Sequence, residues 1–183
     1  MMIFGRKKDP HEAWLRQTVE RFEGPLVRYA ARIVRDPETA REVVQDTFTK
    51  LCGADAAKLN GRLAPWLYTV CRNRAFDVAR KAQRSAPLSE EASAAVPSTA
   101  PGPREAAEGR EAGAHLLAAL GQLPAEQQEV FRLRFHEDFS YAEISEITGH
   151  TTNHVRYLIH TALKTLRVSL REHLDVARPA VKD

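Results

Sequence analysis

Two groups of side chains have the types and spacing to do chemistry on nucleic acid. In the first, Asn153 and Arg156 stand in the opening turn and a half of a helical pattern, followed by Tyr157, His160 and Lys164. Asn and Arg can each pair bidentately with a base edge in the major groove. In the second, Trp66, Arg72, Asn73, Arg80 and Lys81 interleave an aromatic ring, an amide and cations along another helical pattern. Aromatic faces stack unpaired bases, while Arg and Lys follow the phosphates. Trp and Tyr in small helical domains also serve as core residues, so the second group assigns no ligand by itself. His150 and His154, four residues apart at a helix start, could supply half of a metal site. No third ligand stands at usable spacing, and no paired-His zinc motif, phosphate-binding Gly loop or nucleophile elbow occurs. No catalytic residue, metal or cofactor is therefore assigned, and the chain is not read as an enzyme.

The elements that position the first group are legible. Ser140-Tyr141-Ala142-Glu143 is a capping box, in which the Ser hydroxyl and the Glu carboxylate satisfy free amides of a first helical turn. Ile144 and Ile147 give that short helix an apolar side, and Gly149 supplies the left-handed residue that ends it. Thr151 or Thr152 caps a longer helix with one apolar stripe, Val155, Leu158, Ile159, Ala162, Leu163, Leu166 and Leu170. Asn153, Arg156, His160, Lys164 and Arg167 fall on the opposite face. Two helices joined by a tight Gly turn, the second with a polar, cationic face, form the pattern of a DNA-reading helix-turn-helix.

The whole chain permits this. Its 183 residues make one ordinary domain or two small ones, with a 43% hydrophobic fraction and a net charge of +3. A pI near 9.0 allows an anionic partner without demanding one. No apolar run is long enough to span a bilayer, and Met1-Met2-Ile3-Phe4 precedes Arg6-Lys7-Lys8 in the wrong order for a secretory signal. A cytoplasmic protein without membrane insertion is expected. The two cysteines, Cys52 and Cys71, share no metal or redox spacing, and Cys71 lies on an apolar helix face as a buried thiol.

Taken in order, a helical pattern from His11 through Phe22 meets Gly24-Pro25, where an interruption is expected, and a second segment carries Leu26, Tyr29, Ala30 and Ile33. Asp36-Pro37 is a helix start. The helix from Pro37 to about Leu51 buries Ala40, Val43, Val44, Thr47, Phe48 and Leu51, and shows Arg41, Glu42, Gln45, Asp46 and Thr49 outward. After a turn at Asn60-Gly61, Pro65 starts a helix to about Ala82. Its Leu67, Val70, Cys71, Arg74 and Val78 share one side, while Tyr68 falls with the cations on the other. From Gln83 the composition shifts to Pro, Ala, Ser, Glu and Gly, with Leu88 and Val96 the large apolar exceptions. Such a segment cannot bury enough surface to offset its ordering entropy. As a coil it averages about 30 Å end to end. The fold class is all-α: two small helical domains, 11–82 and 111–172, joined by a flexible linker at 83–110, with the helix-turn-helix in the second. The end of the chain, from about His173, reads as frayed.

These segments together resemble bacterial sigma factors of the extracytoplasmic-function (ECF) type, within the sigma-70 superfamily. Tyr29-Ala30-Ala31-Arg32-Ile33, Asp36-Pro37-Glu38-Thr39-Ala40 and Val44-Gln45-Asp46-Thr47-Phe48 resemble the core-binding part of domain 2. Pro65-Trp66-Leu67-Tyr68-Thr69-Val70-Cys71-Arg72-Asn73-Arg74-Ala75-Phe76-Asp77 resembles its promoter-reading helix. Leu123-Pro124-Ala125-Glu126-Gln127 through Phe131, then Ser140-Tyr141-Ala142-Glu143-Ile144, resemble domain 4. The resemblance implies a transcription initiation factor that binds core RNA polymerase, directs it to specific promoters and assists opening of the −10 element. It implies polymerase contacts at Glu42, Gln45 and Asp46, and −10 contacts at Asn60, Arg62, Trp66, Arg72, Asn73, Arg80 and Lys81. It implies −35 contacts at Asn153, Arg156, Tyr157, His160 and Lys164. An anti-sigma protein is an implied partner beside polymerase and promoter DNA. One departure is that many ECF recognition helices carry further cations where this chain has Leu158, Thr161 and Leu163. The alternative reading is a helix-turn-helix regulator acting independently of polymerase, which gives no reason for the first module.

Overall fold

The structure, a computed structural model, describes residues 10–59, 61–85 and 106–177. Those residues form seven α-helices and one 3-10 turn, with no strand among them, in two compact units.

In the first unit α1 (Pro10–Val34), α2 (Pro37–Cys52) and α3 (Leu63–Ser85) each pack against the other two. The core takes Phe22, Leu26, Tyr29 and Ala30 from α1, Val43, Val44, Thr47 and Leu51 from α2, and Leu67, Tyr68, Cys71 and Ala75 from α3. The expected break at Gly24-Pro25 does not occur, because α1 runs straight through Pro25. A proline inside a helix removes one hydrogen bond and crowds the carbonyl four residues back, at a cost of about 3 kcal/mol. Packing offsets that cost. Phe22, Leu26 and Tyr29 form a buried row that spans the proline, and each such side chain contributes roughly 1.5–3 kcal/mol on burial.

The α1–α2 link is two residues long. Arg35 adopts a left-handed conformation (φ 60°), and its N–H donates to the Ala31 carbonyl at 2.9 Å. Asp36 is the N-cap of α2, accepting from the Thr39 N–H at 2.7 Å, with Pro37 in the first turn. Hydrogen bonds from the Thr39 hydroxyl and then its backbone N–H hold the Asp36 carboxyl below its ordinary value. The stability this supplies is present above the unfolded carboxylate pKa and is lost as pH falls through the lower folded one. A 3-10 turn, Ala56–Leu59, follows α2 and buries Leu59. Helix α3 then starts at Leu63, which puts Pro65 at its third position, where the missing N–H has no partner within the helix in any case.

In the second unit α5 (Ala125–Phe135), α6 (Tyr141–Thr148) and α7 (Thr152–Ala177) pack together, and α4 (Ala106–Gly121) lies against α7. Leu120, Leu123, Phe131, Ala162 and Leu166 form one buried cluster, edged by Leu116, Ala119 and Leu163. The Gln128 side chain closes the α4–α5 link, donating to the carbonyls of Leu123 at 2.8 Å and Gly121 at 3.1 Å. Helix α4 begins earlier than the composition suggested. The opening Ala106-Ala107-Glu108 has few large apolar groups but high helix propensity. Of the expected linker, 83–85 belong to α3, 106–110 belong to α4, and 86–105 lie outside the described residues. Helix α7 continues to Ala177, past the point where fraying was expected.

The packing of α3 sets the chemistry of the thiols. Cys71 is fully buried, and burial pushes its thiol up to about 12, against a smaller opposing pull from Thr47. Cys52 is exposed. An aromatic disulfide reagent at pH 8 should therefore titrate one thiol per native chain, Cys52, and reach Cys71 only after denaturation, since the thiolate is the reactive form. Two fast-reacting thiols in the native protein would contradict the packing of α3 on α1.

Candidate nucleic-acid and protein interfaces

In the second unit the α6–α7 turn fixes where α7 points. Ser140 Oγ accepts from the Glu143 N–H at 3.3 Å, and Glu143 Oε2 accepts from the Ser140 N–H at 2.8 Å, completing the capping box. Gly149 ends α6 in the left-handed region (φ 76°), with its N–H donating to the Ser145 carbonyl at 3.0 Å. Ser145 Oγ donates to the His150 carbonyl at 2.6 Å, and Thr151 Oγ1 accepts from the His154 N–H at 3.2 Å. Thr151 rather than Thr152 is thus the cap of α7.

With that turn set, Val155, Leu158, Ile159, Ala162 and Leu166 are buried. Asn153, Arg156, Tyr157, His160 and Lys164 all face outward, and Tyr157 is 62% exposed. Leu158 is 5% exposed, so its position is closed to a cation by packing. Three contacts were not foreseen from the sequence. The Tyr141 ring carries the Arg156 guanidinium at 5.8 Å and that of Arg134 at 5.9 Å, and the His154 and Tyr157 rings stack at 6.2 Å. Tyr141 at the first position of α6 thereby orients Arg156, which an aromatic directly after a capping serine could have signalled.

The same turn gathers His150 and His154, ring centroids 4.9 Å apart, with Glu126 from the first turn of α5. The ligand atoms of the three residues all lie within 4.8 Å of one another. A third donor side chain, absent from local sequence spacing, is thus brought near from another helix.

In the first unit α2 exposes Glu42 and Gln45, with Asp46 half-exposed beside them. All three line one shallow concavity together with Thr39, Arg74 and Val78. Arg74 Nε lies 2.7 Å from Asp46 Oδ2, so Asp46 belongs to an α2–α3 ion pair as well as to the exposed surface. On α3, Asn73, Arg80 and Lys81 are exposed and Trp66 and Arg72 are half-buried. The Arg72 guanidinium sits 4.6 Å from the Phe76 ring, and Arg80 Nη1 is 3.5 Å from Asp77 Oδ1. Arg72, Asn73, Phe76, Asp77 and Arg80 border a second concavity, in which Phe76 is an aromatic the sequence reading had not assigned. Tyr68 is corrected to the core. It is 1% exposed and its ring lies 5.1 Å from that of Tyr29, because the buried arc of α3 runs through Leu67, Tyr68, Cys71 and Ala75 and is wider than one stripe. Asn60 lies outside the described residues. Arg62 is exposed, and Gly61 (φ 76°) borders a third concavity with Trp14, Leu59 and Leu63.

The family described as Sigma-70 region 2 matches residues 18–85, and Sigma-70, region 4 matches residues 114–166. The chain is 33% identical over 153 residues to the RNA polymerase sigma factor CarQ of Myxococcus xanthus, covering 82% of this chain and 86% of that one. It is 31% identical over 174 residues to the ECF RNA polymerase sigma factor SigL of Mycobacterium tuberculosis, covering 91% and 93%. Among solved structures it resembles the sigma factor RpoE in complex with the anti-sigma factor NepR from Bartonella quintana. The TM-score is 0.60 at 25% identity, covering 89% of this chain and 98% of that one.

Two substitutions test the turn. Ser140→Ala should destabilise the protein by about 1 kcal/mol through loss of the cap. Gly149→Val should cost at least about 1–2 kcal/mol, since a β-branched residue is strained in the left-handed region. Denaturant unfolding measures both, and a neutral Gly149→Val would contradict the turn described.

Proposed function

The chain belongs to the ECF group of the sigma-70 family, factors that bind RNA polymerase and confer promoter specificity, and from that premise we propose how its residues divide the task. The first unit, read as a domain over 11–82, docks on core polymerase and takes the −10 element. The second, over 111–172, reads the −35 element as duplex, and of the expected 83–110 tether the part between α3 and α4 joins the two.

The observation that carries the reading is that one small unit holds two unlike polar surfaces on adjacent helices. Glu42, Gln45 and Asp46 offer an acidic, amide-bearing patch on α2, suited to a cationic protein surface. Arg72, Asn73 and Arg80 offer cations and an amide around Phe76 on α3, with Lys81 exposed beyond them, suited to strands whose bases have come apart. Trp66 stands at the start of that helix, and Arg62 follows Gly61, which borders the concavity that would hold an unstacked base; Asn60, next to Gly61 in sequence, is proposed as a contact from the family resemblance alone. Captured bases then offset the few kcal/mol lost on unstacking, so opening needs no nucleotide hydrolysis. On the second unit, Asn153 and Arg156 read base edges, with Tyr157, His160 and Lys164 completing the contact. Phosphate contacts fix the register.

A helix-turn-helix regulator acting without polymerase would leave the α2 and α3 surfaces without a use. No catalytic step is assigned to this chain, and it works where polymerase and promoter meet, in the cytoplasm. RpoE was solved with the anti-sigma factor NepR, and an anti-sigma partner that covers the same surfaces is proposed here too.

The test separates the surfaces. Glu42→Lys with Gln45→Lys spares the Asp46–Arg74 pair and should weaken binding to purified core polymerase about tenfold or more, as reversed charges do across a complementary interface. The same variant should keep its affinity for promoter duplex. Arg156→Ala should cost about 1–3 kcal/mol in duplex binding and relax specificity at one position. Lys164→Ala should lower the salt slope by about one. Polymerase affinity unchanged by the double substitution would refute the docking surface.

A further inference from the structure

We propose that Glu126, His150 and His154 form a site for one divalent transition-metal ion of the zinc class, and that the ion braces the start of α7. The site draws on three separate parts of the second unit: the first turn of α5, the α6–α7 turn and the first turn of α7. Its geometry is close to ligation. The three ligand atoms lie within 4.8 Å of one another. Bonds of about 2.0–2.2 Å in a tetrahedral arrangement put neighbouring ligand atoms roughly 3.4 Å apart. The remaining closure falls to side-chain rotation, because Glu126 and His154 are both exposed and can turn without disturbing the core.

His150 is the anchored member. Its N–H lies 3.4 Å from Thr148 Oγ1 and its carbonyl accepts from Ser145 Oγ at 2.6 Å, so the backbone beneath the imidazole is held on both sides. The His154 ring already meets it edge-on at 4.9 Å between centroids. Two imidazoles and one carboxylate form a borderline donor set, which suits zinc, cobalt or nickel(II). Without a thiolate it does not favour copper(I), and with imidazole it does not favour magnesium or calcium. Three protein ligands leave a fourth position for water.

An ion held there would tie α5 to the turn that aims α7. His154 stands between Asn153 and Val155 in sequence and stacks on Tyr157, so the brace lies at the edge of the outward-facing polar surface. The site stands whether or not α7 reads DNA, because the residues and the measurements concern the ion alone.

The full-length, metal-free chain should be titrated with cobalt(II), then zinc. One cobalt per chain is expected, with visible ligand-field bands of a nitrogen and oxygen set, no sulfur charge-transfer band, and displacement by zinc. His150→Asn with His154→Asn should weaken uptake about tenfold or more, as should Glu126→Gln. Zinc should raise the melting temperature of the wild type and slow amide hydrogen exchange over 150–157, with neither effect in the double variant. Melting of the metal-free double variant close to that of the metal-free wild type shows that the loss is of ligands and not of the fold. Unchanged affinity in the double variant, a sulfur band pointing to Cys52, or no uptake at millimolar cobalt would overturn the site. Uptake without slowed exchange at 150–157 would overturn the brace.

Discussion

In units of three and four helices each helix gives one side to the core, and whatever chemistry the protein performs falls to the residues left on the other side. That constraint is severe in α7. Once Val155, Leu158, Ile159, Ala162 and Leu166 are buried, the helix from Asn153 to Lys164 offers chiefly Asn153, His154, Arg156, Tyr157, His160 and Lys164 to a partner. Packing closes Leu158 to a cation, while Thr161 and Leu163 are only partly buried. On α3 the same constraint removes Tyr68 from the outer face and leaves Phe76 as the aromatic among the cations.

The second requirement is that short links leave no backbone group unsatisfied. The α6–α7 turn meets it with the capping box, a left-handed Gly149, and hydroxyls from Ser145, Thr148 and Thr151. The α1–α2 link meets it with Arg35 and Asp36 in two residues. Both links fix helix directions, and through them the exposed faces on which the family role depends. Asp46 shows how tightly structure and surface are joined, since its pairing with Arg74 links α2 to α3 within the face proposed for polymerase.

Much of this was legible in the sequence because it is local. Asp36-Pro37, Ser140 with Glu143 and Gly149 are signals within one helical turn, and the stripe from Val155 to Leu166 is a repeat within one helix. What was not legible depends on partners distant in the chain. Pro25 reads as a break until Phe22, Leu26 and Tyr29 are seen packed on α2 and α3. Tyr68 reads as outward until Tyr29 is brought against it. The start of α4 at Ala106 rests on propensity where composition pointed to a linker. Glu126 stands twenty-four residues before His150 and joins it only because α5 lies beside the turn. The site residues assigned by family resemblance fall mostly on exposed or half-exposed positions, with Asn60 outside the described residues.

In the function proposed, two polar surfaces of one small helical unit, together with α7, direct polymerase to a promoter. Run-off transcription from the host's own promoter DNA tests it most directly, with purified core polymerase alone and with this chain added. Defined start sites should appear only with the chain, and disappear when the α2 surface is charge-reversed even though duplex binding persists. Duplex binding by the wild-type chain with neither initiation nor association with core polymerase would contradict it.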